Sequence, residues 1–208
     1  MLNRSFFNIN MTYKRVIVFA IIVAAFCASM LIIPFTIHTS LANPGTYLEA
    51  WILFALIIIM NCQKPLEAGA KTFIFFLISQ PLIYLLQVPF SSLGWQLFMF
   101  YPKWGLLTLL TFPGAMIAWY IKKDNLLSSI ILAIATSYLV FQGMDFLASA
   151  LDHFPHQFLS FLFCYSVAFI LIRTLLKNKR NIIVCSLITF LAFLFSIYVF
   201  ILLMGFAF

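Results

Sequence analysis

Long, uninterrupted apolar stretches alternate along this chain with short segments that hold most of its charged residues. A helix needs roughly 17–25 apolar residues to cross a hydrocarbon core about 30 Å thick. Seven stretches meet or approach this length, and the second is the shortest: residues 16–38, 46–61, 65–87, 102–121, 125–149, 156–176 and 181–204. Because the stretches are continuously apolar and not alternating, they predict helices and not the strands of a membrane barrel. The pattern predicts an all-α integral membrane protein, a single bundle of about seven transmembrane helices.

Helix-capping residues stand at several of the predicted boundaries. Thr46 and Glu49 fit a capping box that opens the second helix. Either Asp124 or Asn125 can cap the fifth helix, and Asn181 can cap the seventh. The connections between the predicted helices are short, which predicts antiparallel neighbours for most consecutive pairs.

The composition excludes the other broad classes of protein. Hydrophobic residues make up 65% of the 208 residues and charged residues 8%, whereas a soluble domain has about 25% charged residues. Disorder is excluded as well, because disordered chains combine low hydrophobicity with high charge. No stretch outside the predicted helices is long enough for a separate soluble domain.

The basic residues predict the orientation of the bundle. Lys and Arg accumulate in cytoplasmic loops. With the N-terminus inside and seven spans threaded in order, eleven of the twelve Lys and Arg residues fall inside, and only Lys103 falls outside. The C-terminus is then outside. The formal charge of +7 follows from this topology and from contact with anionic lipid, so no nucleic-acid partner is required.

An aromatic segment, residues 88–104, joins the third and fourth predicted spans. Aromatic rings concentrate at the level of the lipid headgroups, so the segment predicts a short helix lying in the outer interface. A lid over an outward-facing cavity is the alternative. The rings belong to Phe90, Trp95, Phe98, Phe100, Tyr101 and Trp104.

A polar stripe follows the fifth predicted helix. Tyr138, Gln142, Asp145, Ser149 and Asp152 are spaced by four, three, four and three residues, which places them on one helix face. Since a polar stripe is costly against lipid, we expect this face to point into the bundle or into a wet cavity. Asp145 is the candidate functional carboxylate, with Gln142 and Tyr138 beside it in a ligand site. The helix emerging into water is the alternative.

Two further residues are candidates for the same ligand site. Lys103, the outer cation, can pair with Asp145 or Glu49, or extend to lipid headgroups.

Gln80 precedes Pro81 in the third span, and Pro113 interrupts the fourth. Paired interrupted helices are typical of transporter binding sites, although prolines are also common in membrane helices without such a role.

The outer end of the fifth helix predicts a low-probability metal site. Asp152, His153 and His156, together with Asp145, offer imidazole and carboxylate groups, which suit zinc or manganese. Ordinary loop residues are the alternative, and no other cofactor is predicted. The four cysteines form no Cys-x-x-Cys pair and are expected to be packing residues.

A strip of small residues on the first helix suggests a partner. Ala20, Ala24 and Ala28 recur every four residues, a spacing that lets helices approach closely. Internal packing and a docking face for another membrane subunit both remain open. The strip resembles the first helix of the substrate-binding components of energy-coupling-factor vitamin transporters, which dock a coupling subunit through such a face. Those components usually have six spans.

A second resemblance covers about a third of the chain. Residues 67–84 (EAGAKTFIFFLISQPLIY) and 108–113 (TLLTFP) are similar to a family of uncharacterised small multi-pass membrane proteins of Gram-positive bacteria. This resemblance implies a location in a bacterial plasma membrane. It implies no particular activity.

Three functions are compatible with these patterns. The leading one is binding or transport of a small solute through an outward-opening cavity, alone or as a subunit of a complex. The second is a membrane-embedded enzyme with its site at the outer leaflet, built from Asp145, Asp152, His153 and His156. No catalytic motif is present to support it. The third is a regulatory or immunity-type membrane protein without a substrate.

Overall fold

The computed structural model describes residues 9–152 and 156–205, and of Asp152 and residues 200–205 it describes the backbone alone. Helices make up the described fold, which contains no strand in these ranges. Short 3₁₀ turns cover Asn43–Gly45, Gly94–Phe100 and Trp119–Lys123. The seven α-helices are α1 (Tyr13–Ile32), α2 (Glu49–Met60), α3 (Pro65–Gln87), α4 (Tyr101–Ala118), α5 (Leu126–Asp152), α6 (Phe158–Leu175) and α7 (Lys179–Gly205).

Within the described ranges, six of these helices are long and apolar enough to cross a membrane. The exception is α2, whose twelve residues span only about 18 Å at 1.5 Å per residue. The all-α membrane fold is therefore confirmed, and the spans are confirmed for six of the seven predicted segments. Large apolar side chains such as Ile22, Leu109 and Phe195 are exposed along these helices, which is the surface expected for contact with lipid.

The chain divides into two compact units, residues 1–119 and 120–208. Unit 1 is built around α3, which packs against α1, α2 and α4. Helices α1 and α3 run in the same direction. Lys71 Nζ lies 5.2 Å from the centre of the Tyr13 ring, and further along both helices the Phe19 and Phe75 ring centroids are 5.1 Å apart.

Helix α2 runs opposite to α3. The Phe54 and Phe75 ring centroids are 6.3 Å apart and those of Trp51 and Phe76 are 5.4 Å apart, so an earlier residue of α2 meets a later residue of α3. Both pairs pack in the interior of unit 1.

Helix α4 also runs opposite to α3. The Phe73 and Phe112 ring centroids are 6.5 Å apart, and those of Tyr84 and Tyr101 are 6.0 Å apart. A Cβ atom at Gly69 would lie 2.9 Å from the Phe112 carbonyl oxygen, so glycine permits the close contact of these two helices.

One end of unit 1 is closed by two hydrogen bonds between segments far apart in the chain. The N–H of Ile9 donates to Asn61 Oδ1 at 3.1 Å, and Trp119 Nε1 donates to the carbonyl of Cys62 at 3.1 Å. The start of α1, the loop between α2 and α3, and the end of α4 therefore meet at this end. The segments that meet there carry Lys14, Arg15 and Lys64.

Unit 2 is built around α5, which packs against α6 and α7. Asp124, at a φ of +50°, joins the start of α5 to the loop between α6 and α7. Its Oδ2 accepts hydrogen bonds from the N–H groups of Lys177 at 3.2 Å and Asn178 at 3.1 Å. Asn181 Nδ2 donates to the carbonyl oxygen of Asp124 at 2.6 Å and to its Oδ1 at 3.1 Å.

The caps of α5 and α7 test two of the boundary predictions. Asn125 caps α5 as predicted, since its Oδ1 accepts from the N–H of Ser128 at 2.9 Å. The cap predicted for α7 is wrong. Asn178 Oδ1 accepts from the N–H of Arg180, while Asn181 lies inside the helix and contacts Asp124.

The second predicted span differs most from the structure. Helix α1 ends at Ile32 and not near residue 38, and residues 33–48 form turns. No capping box forms at Thr46, whose Oγ1 donates to the carbonyl of Asn43 at 3.3 Å. Helix α2 begins at Glu49 without a side-chain cap on its first turn.

The prolines predicted to interrupt two helices lie inside continuous ones. Helix α3 runs through Pro81 and helix α4 runs through Pro113. Proline removes one backbone hydrogen bond, and neighbouring turns of a membrane helix can sustain the helix across it. The aromatic segment forms a 3₁₀ turn that leads directly into α4.

Candidate functional site

The polar stripe of α5 does not point into the packing of unit 2. Of the four stripe side chains that the structure describes, Asp145 and Ser149 are exposed and Tyr138 is half-buried. Gln142 is buried, and its Oε1 accepts a hydrogen bond from the Tyr138 hydroxyl at 3.2 Å. Asp145 is therefore not part of the packed interior of unit 2, and its placement beside a wet cavity stays a prediction. The reason is the helix geometry: Gly143 lies in the packed face of α5, and Asp145 is about 200° further around the helix at 100° per residue.

The predicted metal site lies largely outside the described residues. His153 and the side chain of Asp152 are not described, and His156 is exposed. Among the described residues, no group of three or more His, Cys, Asp or Glu side chains is placed to hold a metal ion. The metal site and the enzymatic alternative built on it stay predictions.

Lys103 lies on the exposed surface of α4, in unit 1. Its pairing with Asp145 is not described, because Asp145 belongs to unit 2. No described residue forms an ion pair with Lys103 in the structure.

The alanine strip of α1 is internal. Ala20, Ala24 and Ala28 are all buried in unit 1, whose α1 packs against α3. The alternative, a docking face for another subunit, requires an accessible surface that these residues do not have.

Gln80 is the one member of the predicted ligand site that is buried in unit 1. Its side chain is 2% exposed, and Nε2 has no hydrogen-bond partner. Two hydroxyls on the same helix share this property: Thr72 Oγ1 and Ser79 Oγ are also buried without a partner. At 100° per residue, the three side chains lie on one side of α3. A buried polar group without a partner costs roughly 1–3 kcal/mol.

Other hydroxyls in unit 1 make a hydrogen bond within their own helix that Thr72 and Ser79 do not make. A threonine in a helix ordinarily donates to a carbonyl one turn earlier. Thr108 Oγ1 donates to the carbonyl of Trp104 at 2.8 Å, and Thr111 Oγ1 donates to the carbonyl of Thr108 at 2.6 Å. Thr72 and Ser79 make no such bond, so both hydroxyls can bind another group.

Glu49 is the most unusual residue of unit 1. It is the first residue of α2, and its side chain is 2% exposed. Its Oε2 is buried and has no hydrogen-bond partner. A carboxylate is thus placed in the interior of the unit with one oxygen unsatisfied.

Aromatic rings surround the residue two positions further along α2. Trp51 is 1% exposed and its Nε1 has no partner. Its ring centroid lies 5.4 Å from that of Phe76, 5.9 Å from that of Phe75 and 6.4 Å from that of Trp104. Trp104 is half-buried, so the ring cluster extends from the interior of unit 1 to its surface.

Three of the polar residues of α2 and α3 lie at similar heights in unit 1, whereas Thr72 lies eight residues, about 12 Å, from Gln80 along α3. The contact between Trp51 and Phe76 fixes the register of these antiparallel helices. Glu49 lies two residues, about 3 Å, beyond this contact at the start of α2, and Gln80 lies four residues, about 6 Å, beyond it along α3. Glu49, Ser79 and Gln80 therefore occupy one level, about one helical turn deep. We call the unpartnered side chains of Glu49, Trp51, Thr72, Ser79 and Gln80 the polar core.

Charge in unit 1 is compensated elsewhere but not at Glu49. Lys71 is buried, but its Nζ pairs with Glu67 one turn earlier on α3. Glu67 Oε2 also accepts from the N–H of Gln63 at 2.8 Å. No ion pair of Glu49 is present among the described residues.

Four residues of the polar core were not predicted as site residues. Glu49 was assigned to a capping box, and Trp51, Thr72 and Ser79 were not singled out. The signal available in the sequence was the spacing of Thr72, Ser79 and Gln80 by seven and one residues, which repeats on one helix face.

Comparisons with known proteins give no precedent for this site. No protein-family model, curated protein or solved structure matches the chain.

Proposed function

We propose that this protein binds or transports a small solute in a membrane, and that the polar core of unit 1 is its binding site. The observation that supports the proposal is the set of five buried, unpartnered polar side chains on α2 and α3. Leaving five such groups unsatisfied would cost several kcal/mol, at roughly 1–3 kcal/mol each. A bound solute that supplies the missing partners would offset this cost.

The second predicted span, residues 46–61, and the turn before it fit such a site. Its 3₁₀ turn, Asn43–Gly45, and α2 together form an interrupted helix, with Glu49 at the start of the second half. Binding sites of transporters are typically formed where membrane helices are discontinuous. We propose that this interrupted segment is the seventh crossing, which would place the C-terminus opposite to the N-terminus.

The distribution of basic residues supports an N-terminus on the cytoplasmic side of a plasma membrane. Lys14, Arg15 and Lys64 belong to the segments that meet at one end of unit 1, whereas Lys103 follows the start of α4, at the other end. This arrangement agrees with the cytoplasmic enrichment of Lys and Arg. A bacterial origin rests on the similarity of residues 67–84 to Gram-positive membrane proteins, and membership of a complex stays a prediction.

Native mass spectrometry of the protein purified in mild detergent tests the proposed site. The wild-type protein should retain a small-molecule adduct. Gln80→Leu removes an unpartnered group and should reduce the adduct by at least about tenfold, which corresponds to 1.4 kcal/mol of binding energy. Gln142→Leu is the matched control, because Gln142 is also buried but bonds to Tyr138. It should retain the adduct.

The stability of the two glutamine variants separates a binding role from a packing role. Without solute, Gln80→Leu should raise the melting temperature, since it replaces an unsatisfied polar group by an apolar one of similar shape. Gln142→Leu should lower it. A wild-type protein that carries no adduct, or a Gln80→Leu variant that retains it fully, would contradict the proposed site.

A further inference from the structure

We infer that one end of unit 2 is a binding surface for the headgroups of anionic membrane lipids. This inference goes beyond the proposed function and concerns a different unit from the polar core. It is carried by exposed basic side chains that meet at the ends of three membrane helices and form no ion pair with a described residue. We call these residues the basic end: Lys123, Arg173, Lys177, Lys179 and Arg180.

Hydrogen bonds around Asp124 bring the basic residues together. Asp124 directly follows Lys123, and its Oδ2 accepts from the N–H of Lys177 at 3.2 Å. Asn181, in the first turn of α7, donates from Nδ2 to the carbonyl oxygen of Asp124 at 2.6 Å. The start of α5, the end of α6 and the start of α7 therefore meet at this point.

This end of unit 2 lies at a surface of the membrane. Helices α5, α6 and α7 are each long and apolar enough to cross the bilayer, so their joined ends reach the level of the headgroups. Arg173 belongs to the last turn of α6, and Lys179 and Arg180 open α7. Long basic side chains at such positions extend towards the headgroups.

The positive charge of the basic end is not balanced within unit 2. Asp124 is the nearby carboxylate, and its side chain accepts hydrogen bonds from backbone and amide groups. Asp145, the next carboxylate along the chain, lies about 28 Å from the start of α5. Lys123 Nζ lies 4.5 Å from the centre of the Tyr120 ring, a contact that supplies no counter-charge.

The helix dipoles add to this positive charge. Two helix N-termini and one C-terminus lie at this end, so their partial charges sum to about half a positive charge. Acidic residues, which N-termini favour, are absent from the first turns of α5 and α7, and Lys179 and Arg180 occupy the first turn of α7 instead. An anion bound here would stabilise both the side chains and the helix N-termini.

Anionic phospholipids are the anions that fit this position. Clusters of about four to eight basic residues next to a membrane helix are typical of sites for anionic lipid headgroups, and each residue strengthens binding about fivefold. The acyl chains of a lipid can also contact exposed apolar side chains near this end, such as Leu126 and Ile183. A soluble phosphate gains no such contact, so the geometry favours the lipid.

Native mass spectrometry of the full-length, delipidated protein in mild detergent tests this inference. The probes are phosphatidylglycerol and phosphatidylcholine with identical acyl chains, each titrated at low and at high ammonium acetate concentration. The wild type should bind phosphatidylglycerol at least about tenfold more tightly than phosphatidylcholine. High salt should reduce this preference. Glycerol 3-phosphate, which carries the phosphate without acyl chains, should not displace the bound lipid at equal concentration.

Two triple variants with the same net charge locate the binding surface. The first neutralises three exposed lysines of the basic end: Lys123→Gln, Lys177→Gln and Lys179→Gln. The second, the matched control, neutralises three exposed lysines of unit 1: Lys14→Gln, Lys64→Gln and Lys103→Gln. The first variant should bind phosphatidylglycerol at least about tenfold more weakly than the wild type, and the control should lose no more than about twofold. Because Asp124 accepts from backbone N–H groups and not from these lysine side chains, the first variant keeps the contacts that join the helix ends.

The results that would overturn the inference differ in meaning. Equal binding of the two lipids by the wild type would show that no anionic headgroup is preferred. Equal losses in the two triple variants would show that net charge alone, and not the basic end, attracts the lipid. Displacement of the lipid by equimolar glycerol 3-phosphate would assign the surface to soluble phosphates. The proposed function is tested separately, by the Gln80-dependent adduct, and survives each of these results.

Discussion

The two units treat the polar residues of their interiors in opposite ways. In unit 2 the hydroxyls of Thr136 and Thr189 lie 2.7 Å apart, and each also bonds to a carbonyl of its own helix. Among the described residues of unit 2, two buried side-chain atoms lack a partner, Ser137 Oγ and Tyr165 OH, and each belongs to a residue that is half-buried as a whole. In unit 1, five fully buried residues lack partners. The unpartnered groups of unit 1 are more numerous and belong to more deeply buried residues. Under the proposed function, a bound solute is their partner.

The carboxylates show the same contrast. Asp124 of unit 2 is satisfied by backbone and amide donors, and Asp145 is exposed. Glu49 of unit 1 is buried, with one oxygen unpartnered. Under the proposed function, burial combined with missing partners, and not polarity alone, distinguishes a binding group in this fold.

The largest effect on stability is expected at Asp124. Asp124→Ala removes the acceptor of the N–H groups of Lys177 and Asn178, and it places alanine at a positive φ. Since bonds to charged groups contribute about 1.5–3 kcal/mol each, the variant should lower the free energy of unfolding by about 3 kcal/mol. Asp124→Asn keeps an acceptor and tolerates the backbone angle, so it should lose less than half as much.

Denaturant titration of both Asp124 variants, followed by circular dichroism, checks this expectation. Equal losses for Ala and Asn would show that charge, and not the acceptor geometry, joins these loops. No loss for Asp124→Ala would contradict the description of unit 2 as an internally satisfied unit.

A smaller effect distinguishes the two threonines directly. Thr136→Val breaks the buried pair with Thr189 and should lower the free energy of unfolding by about 1 kcal/mol. Thr72→Val removes a hydroxyl without a partner and should leave the stability of the solute-free protein unchanged or slightly raised. Thermal unfolding of the two variants under identical conditions makes the comparison. A larger loss for Thr72→Val would mean that its hydroxyl has an internal partner.

Much of the fold could be predicted from the sequence, because a membrane helix is specified by local composition. Continuous apolar runs predicted α3 at its observed bounds and four of the other long helices within about three residues, whereas α1 ends six residues before its predicted end. The start of α2 could not be predicted, since Thr46 and Glu49 fit a capping box that the turns of residues 33–48 prevent. The role of Asn181 also depended on a tertiary contact, with Asp124.

The candidate site could be predicted only in part. Helical spacing predicts that Tyr138 and Gln142 lie near each other, as their hydrogen bond shows, but it does not reveal which face of α5 is packed. Gln80 was predicted and is buried in unit 1. Glu49 was missed because a carboxylate in a first helical turn is ordinarily a surface cap. Its burial results from tertiary packing, which local sequence does not encode.

Infrared difference spectroscopy of the carboxylic acid C=O stretch tests the central claim most directly. The account predicts that the solute-free protein at neutral pH shows the band of a protonated, buried carboxyl group. This band should disappear in Glu49→Gln and remain in Asp145→Asn. A wild-type spectrum without the band, or a band that disappears in Asp145→Asn and persists in Glu49→Gln, would contradict the assignment of the binding carboxylate to unit 1.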